Sequence, residues 1–464
     1  MALFSDSIFN CCVLLLLCTL SCCLCVFGVK LDAEYVVKMR SLQPSAVCSS
    51  SKDSNLSRLT VVHRYGPCSP LQMEEKLSHE QIIDNDRARV DSLHHRLSTA
   101  SNVAGKGGLL DVSIPAHTGN LLSTGNYIVN VGIGTPKQDF SVVFDTGSDI
   151  SWIQCNPCNH CYPQKDPLFD PAKSSTYSSI SCSSDECTQL DSHSCSAYGK
   201  CRYDVKYSDN STSTGNFGSD TLTLSPSDLL PNFMFGCSDS SSGVIGRTAG
   251  LIGLGREKSS LISQASQKYG AVFSYCLPSL SSSTGYLSIG SGGPLPPNVQ
   301  YTPMISYASD SSSYYVKLVA IKVGGMKLDI SQTVLSAAGT VMDSGTVITR
   351  LPQAAYSAMR AVFRQHMTNY TAAPALSILD TCYDVSGRGK IKVPAVALVF
   401  DGGASLNLGF DGIIYGGPSQ ACLAFAGNTK ADEVSIIGNT QQRKFTVVYD
   451  ISNQRIGFGA HGCS

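Results

Sequence analysis

The sequence predicts a mainly β protein, with a few short helices, built as two similar halves, and three observations predict it. Charged residues make up only 15% of the chain while glycine reaches 41 of 464 residues, which disfavours long helices and favours strands joined by many turns. From Val112 onward the chain breaks into short runs of β-branched and aromatic residues. A tetrapeptide also recurs together with its surroundings. Asp145-Thr146-Gly147-Ser148 follows the apolar run Val142-Val143-Phe144, and Asp343-Ser344-Gly345-Thr346 follows Thr340-Val341-Met342.

Taken in order, the first element is a leader. Residues 8–29 carry no charge, and Val13 to Leu17 is solidly apolar. This reads as a secretory signal peptide over residues 1–28, with cleavage after Gly28. Asp6 and the lack of Lys or Arg before the apolar stretch leave a signal anchor as the alternative. Residues 29–110 form a charged zone with helical patterning. Ser78 and Gln81 have the spacing of a capping box, and Ile82, Ile83, Val90, Leu93 and Leu97 recur at helical intervals. Arg87, Arg89 and Arg96 are interleaved with Asp84, Asp86 and Asp91, which reads as a solvated helix face. Residues 101–108 are small and polar, a linker open to proteolytic nicking.

The β region divides at the Gly/Pro-rich stretch 290–297, giving an N-terminal lobe at 111–295 and a C-terminal lobe at 296–464. The run from Tyr127 to Gly134 and the run Phe140 to Phe144 lead into the first Asp loop. The run from Tyr314 to Gly325 precedes the second. Downstream, Ala249 to Gly255 and Ser435 to Gly438 are both apolar–glycine segments. One Asp-x-Gly would be a turn. Two, each embedded in matching strands, bring two carboxylates together, and close carboxylates cannot both ionise easily, which makes them an acid–base pair.

Six of the 20 cysteines lie in the leader and fourteen remain, an even number that fits disulfides in a secreted chain. Cys155, Cys158 and Cys161 resemble the start of an iron–sulfur ligand run, but the Cys-Pro that would complete it is missing. Disulfides are therefore expected, with no metal and no cofactor. Asn55, Asn210 and Asn369 lie in glycosylation sequons. A net charge of −1 gives no electrostatic case for nucleic acid or an anionic membrane surface. No Gly-x-Ser-x-Gly elbow or His-Glu-x-x-His motif offers another hydrolase chemistry.

These motifs resemble the pepsin-like aspartic endopeptidases, most closely the plant nepenthesin-type branch that includes chloroplast-nucleoid and apoplastic aspartyl proteases. The likeness covers nearly everything after residue 30 and includes the phrase Val62-His-Arg-Tyr-Gly-Pro-Cys-Ser-Pro70. It implies a bilobal double β-barrel with the active-site cleft between lobes, and a protein or peptide substrate. It also implies that Asp145 and Asp343 are the catalytic dyad. Gly147 and Gly345 donate N–H bonds to the carboxylates, Thr146 and Ser344 tie the loops together, and Ser148 and Thr346 bond the outer carboxylate oxygens.

By the same likeness Tyr207 is the flap tyrosine, with Tyr203 as the alternative, and Trp152, the only tryptophan, supports it; core packing is the other reading of Trp152. Ser208 and Asn210 stand where the family's flap has glycines. The family pattern suggests disulfides Cys155–Cys158, Cys161–Cys237, Cys182–Cys201, Cys187–Cys195, Cys276–Cys463 and Cys382–Cys422, with Cys48–Cys68 closing a loop further upstream. The segment 29–110 is implied to be a prosegment that inhibits the enzyme intramolecularly, with Arg58, His63 and Arg64 as candidates to neutralise the dyad. The expected product is a monomeric, acid-optimum endopeptidase in the apoplast, with vacuole or plastid as alternatives. The competing readings are a catalytically silent inhibitor of the same fold and a nucleoid-associated, DNA-binding protease.

Overall fold

The computed structural model describes residues 34–42, 47–48, 58–71, 77–103, 127–207, 211–242, 247–279, 284–290, 295–336 and 338–463. The leader, Asn55, Ser208, Asn210 and the linker beyond residue 103 lie outside them. The architecture is bilobal and mainly β, and its two halves use one plan. In the first half, Tyr127–Ile133 and Gln138–Asp145 form an antiparallel pair. Gly250–Gly253 then lies parallel to the end of the second strand, with Gly253 opposite Asp145. In the second half, Asp310–Val316 pairs antiparallel with Thr340–Met342, and Ser435–Ile437 lies parallel to that strand. The repeated apolar–glycine segments are therefore the strands that hold the two Asp loops from one side.

A large sheet runs through both halves. Thr446–Asp450, from the C-terminal half, pairs with Val272–Cys276, which pairs with Gly285–Ile289. The next strand is Arg58–His63, far upstream in sequence, and it pairs in turn with Tyr127–Ile133. Val61 is completely buried there, with Leu59 and Val62 nearly so. The N-terminal segment is thus an internal strand of the main sheet. Its first strand, Glu34–Lys38, pairs with Lys390–Pro394 on the C-terminal half.

Two helices are longer than the short ones expected, His79–Val103 and Gln353–His366. The first begins in the capping box: the Ser78 N–H donates to Gln81 Oε1 at 2.8 Å and the Gln81 N–H to Ser78 Oγ at 3.1 Å. Its buried Ile82 and Ile83 pack into a cluster with Val347, Ile348 and Tyr415. Val90, Leu93 and Leu97 pack with Tyr315, Val341, Val434 and Ile436. Each such side chain contributes about 1.5–3 kcal/mol when fully buried, so the helix is held chiefly by the second lobe. Among the described residues, no helix is long and apolar enough to cross a membrane.

Among the described residues, seven disulfides are formed. Cys48–Cys68, Cys276–Cys463 and Cys382–Cys422 pair as expected. The other four bridges differ from the expected pairing, and strand geometry explains the difference. Cys155 pairs with Cys237 and Cys158 with Cys161, in place of Cys155–Cys158 and Cys161–Cys237. Trp152–Gln154 lies parallel to the strand carrying Cys237, which brings Cys155 to a Cα separation of 5.3 Å from it, inside the range a disulfide can span. Cys182 pairs with Cys195 and Cys187 with Cys201, in place of Cys182–Cys201 and Cys187–Cys195. Cys195 and Cys201 face each other across a hairpin, and each reaches outward to a different partner, so these two bridges cross instead of nesting. Asn369 is exposed at the end of the helix Gln353–His366.

Candidate active site

Each Asp loop begins where an apolar strand ends, and each carboxylate is built into its own loop in the same way. Asp145 Oδ1 accepts from the Gly147 N–H at 3.0 Å and its Oδ2 from the Ser148 hydroxyl at 2.5 Å. Asp343 Oδ1 accepts from the Gly345 N–H at 2.9 Å and its Oδ2 from the Thr346 hydroxyl at 2.5 Å. The loops are tied across the lobes: the Thr146 N–H donates to Ser344 Oγ at 3.1 Å, and the Ser344 N–H to Thr146 Oγ1 at 2.9 Å. This exchange fixes the two carboxylates as one unit, because neither loop can shift without breaking bonds to the other. Gly345 is required by close approach: a Cβ there would collide with the Asp145 carboxylate and with Arg89.

The second loop has further buried support. The Asn439 side chain donates to the Ser344 carbonyl at 3.0 Å and Gln442 to the Asp343 carbonyl at 3.2 Å. These amides follow Gly438 directly. The signal in the sequence was an uncharged run, Asn439 to Gln442, placed just after an apolar–glycine strand.

Arg89, on the helix His79–Val103, reaches between the two carboxylates. Its Nη2 lies 3.0 and 3.1 Å from the oxygens of Asp145, and 3.2 and 3.1 Å from those of Asp343. This corrects two expectations. The three arginines do not form one solvated face: Arg87 is exposed beside Asp91, whereas Arg89 is turned into the cleft. The cation at the dyad is neither Arg58, His63 nor Arg64. The strand Arg58–His63 is built into the main sheet, where Arg58 lies over the Tyr286 ring, and His63 and the adjoining Arg64 are buried. The helix face that packs on the second lobe runs Ile82, Asp86, Arg89, Val90, Leu93 and Leu97. Following that three- and four-residue spacing through the polar positions would have found both Asp86 and Arg89.

Asp86 is wholly buried. Its carboxylate accepts from the Val347 N–H at 2.5 Å, the Ile348 N–H at 3.0 Å and Arg350 Nη2 at 3.0 Å. Further along, His94 Nε2 lies 2.9 Å from the Val434 carbonyl oxygen.

The electrostatics of the pair follow from these contacts. Burial alone pushes the Asp145 carboxyl up, but the Arg89 charge, the Ser148 hydroxyl and the Gly147 N–H outweigh it and hold Asp145 below the usual carboxylate range. Burial also pushes Asp343 up; Arg89 opposes this, the Asp145 charge adds to it, and Asp343 stays above the usual range. Burial disfavours the charged form of Arg89, yet the two carboxylates raise its affinity for the proton further still. The two carboxyls are thus driven apart, as an acid–base pair requires.

Tyr207 is placed at the rim of the first half, and its hydroxyl accepts from the indole N–H of buried Trp152 at 2.6 Å. Tyr203 is a core residue, bonded through its hydroxyl to Ser213.

Comparison with known proteins agrees with this arrangement. Residues 127–291 match the family described as xylanase inhibitor N-terminal, and residues 313–460 the one described as xylanase inhibitor C-terminal. An aspartyl protease family protein of Arabidopsis thaliana is 44% identical over 93% of each chain. Aspartic proteinase nepenthesin-2 of Nepenthes gracilis is 34% identical over 83% of this chain and 85% of its own. Among solved structures, soybean basic 7S globulin shares the fold with a TM-score of 0.58 at 23% identity, covering 74% of this chain and 93% of that one. With two matching halves, two intact Asp loops and these relatives, the chain belongs to the pepsin-like plant aspartyl protease family.

Proposed function

We propose that the chain is the precursor of an aspartic endopeptidase, and that Asp145 and Asp343 activate water for peptide hydrolysis at acid pH once the helix His79–Val103 leaves the cleft. The observation that carries this reading is the position of Arg89 Nη2, within 3.2 Å of all four carboxylate oxygens. A water in that place could give a proton to one carboxylate while the other, protonated, donates to the carbonyl oxygen of the substrate. No covalent intermediate is needed. The two carboxyls titrate as a pair sharing one proton, so that one serves as base while the other serves as acid.

In the precursor Arg89 occupies that place and neutralises the charge, so the segment 29–110 acts as an intramolecular inhibitor. Tyr207 belongs to the flap that closes over bound substrate, and buried Trp152 supports it through the bond to its hydroxyl. The leader directs the chain into the secretory pathway and the apoplast, and the mature protein works as a monomer on protein substrates.

One observation favours a second reading. The matched family descriptions name xylanase inhibitors, so a non-catalytic binding protein of this fold is the alternative. The intact hydrogen bonds around both carboxylates support the peptidase. The test is to express the precursor, shift it to acid and follow cleavage of a denatured protein with and without pepstatin. Pepstatin-sensitive cleavage is expected; tight binding of a protein target with no cleavage under any activating condition would favour the alternative.

A further inference from the structure

Arg350 has no part in the chemistry described above, yet it is buried beside the second Asp loop and points its guanidinium at Asp86. Its Nη1 donates to the Ile348 carbonyl at 2.7 Å, within its own loop, so its orientation does not depend on the helix. The backbone it bonds is fixed as well. The Thr349 hydroxyl donates to Gln441 at 2.6 Å, and the Asn439 N–H donates to the Thr346 carbonyl at 2.7 Å. When the helix departs, three donors remain aimed at one empty point: Arg350 Nη2 and the N–H groups of Val347 and Ile348. All three converge in the precursor on a single carboxylate.

We infer that the mature cleft carries an acid-binding subsite, in which Arg350 and the backbone of Val347 and Ile348 receive a glutamate or aspartate side chain of the substrate. Asp86 is the precursor's own occupant of that subsite, as Arg89 is of the catalytic centre. The two residues are one helical turn apart, a rise of about 4.5 Å, while an extended substrate advances about 3.3 Å per residue. The recognised acid therefore falls within about three residues of the scissile bond, on one side of it. A guanidinium with two convergent N–H donors suits a carboxylate and leaves a neutral amide, which offers only one oxygen, poorly matched. A basic side chain would face Arg350 with like charge and is excluded.

This inference rests on the peptidase reading, and its test separates the two. Acid-activated enzyme is assayed at about pH 5, where free glutamate is mostly ionised, on a peptide series. Glutamate is walked through three positions on each side of the scissile bond, each peptide matched by its glutamine twin. The expected result is one position where kcat/KM for glutamate exceeds that for glutamine by about tenfold or more, with the ratio falling towards one in Arg350→Gln. A ratio near one at every position in the wild type overturns the inference without recourse to a variant, and so does a preference that persists unchanged in Arg350→Gln. Absence of cleavage of every peptide would instead remove the peptidase reading itself.

Discussion

Arg89 Nη2 lies 3.0 Å from Asp145 Oδ1 across 56 residues of sequence, and this contact joins the helix His79–Val103 to the paired carboxylates. A guanidinium does not give up its proton in any ordinary range of pH, and here the carboxylates strengthen its hold. The contact can therefore be loosened only from the carboxylate side or by cutting the helix away.

Replacing Arg89 should release that hold. Arg89→Gln leaves two buried carboxylates without their cation, a loss of about 3–5 kcal/mol for a broken buried pair. We expect the variant to convert to active enzyme at least about tenfold faster at a given mildly acidic pH, as followed by loss of the precursor band. Arg87→Gln, at an exposed position, should convert at the wild-type rate.

Acid should undock the helix, and the sign follows from the two carboxyls. Asp145 is held below its ordinary value chiefly against burial and by Arg89, so its contribution to docking is present above the ordinary carboxylate range and lost as pH falls through its lowered value. Burial and the Asp145 charge raise Asp343, but Arg89 lowers it, so its ionised form also favours docking and its protonation on acidification weakens docking in the same sense. Protection of the amides of residues 79–103, relative to their intrinsic exchange at each pH, should fall below about pH 4, and Asp145→Asn should weaken that acid step. Protection that does not change with pH in the wild type would contradict the assignment.

Asp86 should matter to docking as much as Arg89. Asp86→Ala strands Arg350 with no buried counter-charge, at a cost of about 3–5 kcal/mol. At neutral pH the helix of this variant should be cut by an added protease about tenfold or more faster than in wild type, as measured by limited proteolysis.

Asp149 sets a second pH response, in the joint between lobes. Its Oδ2 accepts from Ser312 Oγ at 2.5 Å and its Oδ1 from the Glu257 N–H at 2.8 Å. Burial pushes this carboxyl up to about 6. Its contribution to stability is therefore full below the ordinary value of about 4 and is lost as pH rises through about 6. Asp149→Asn should raise the melting temperature at pH 7 by a few degrees and flatten its dependence between those values, as read by thermal unfolding across that range.

Much of this was legible in the sequence, for physical reasons. The Asp loops and their apolar–glycine partner strands are short-range patterns, and each repeats, so spacing alone located Asp145, Asp343 and the strands Gly250–Gly253 and Ser435–Ile437. The capping box of Ser78 and Gln81 was legible for the same reason. What escaped depended on packing between distant segments. Arg89 and Asp86 look like solvated charges because their partners lie more than fifty positions away, and only the docked helix shows that its buried face includes them. The cysteine pairs of the first lobe depended on which strands run side by side, so Cys155 could be matched to Cys237 only once the parallel pairing of their strands was known.

The most direct test of the account is hydrolysis of an unfolded protein by the acid-treated full chain, wild type against Asp145→Asn. Cleavage by the wild type is expected, with a loss of at least about a thousandfold in the variant, which keeps the shape of the loop but removes one carboxyl of the pair. Undiminished cleavage by Asp145→Asn would contradict it.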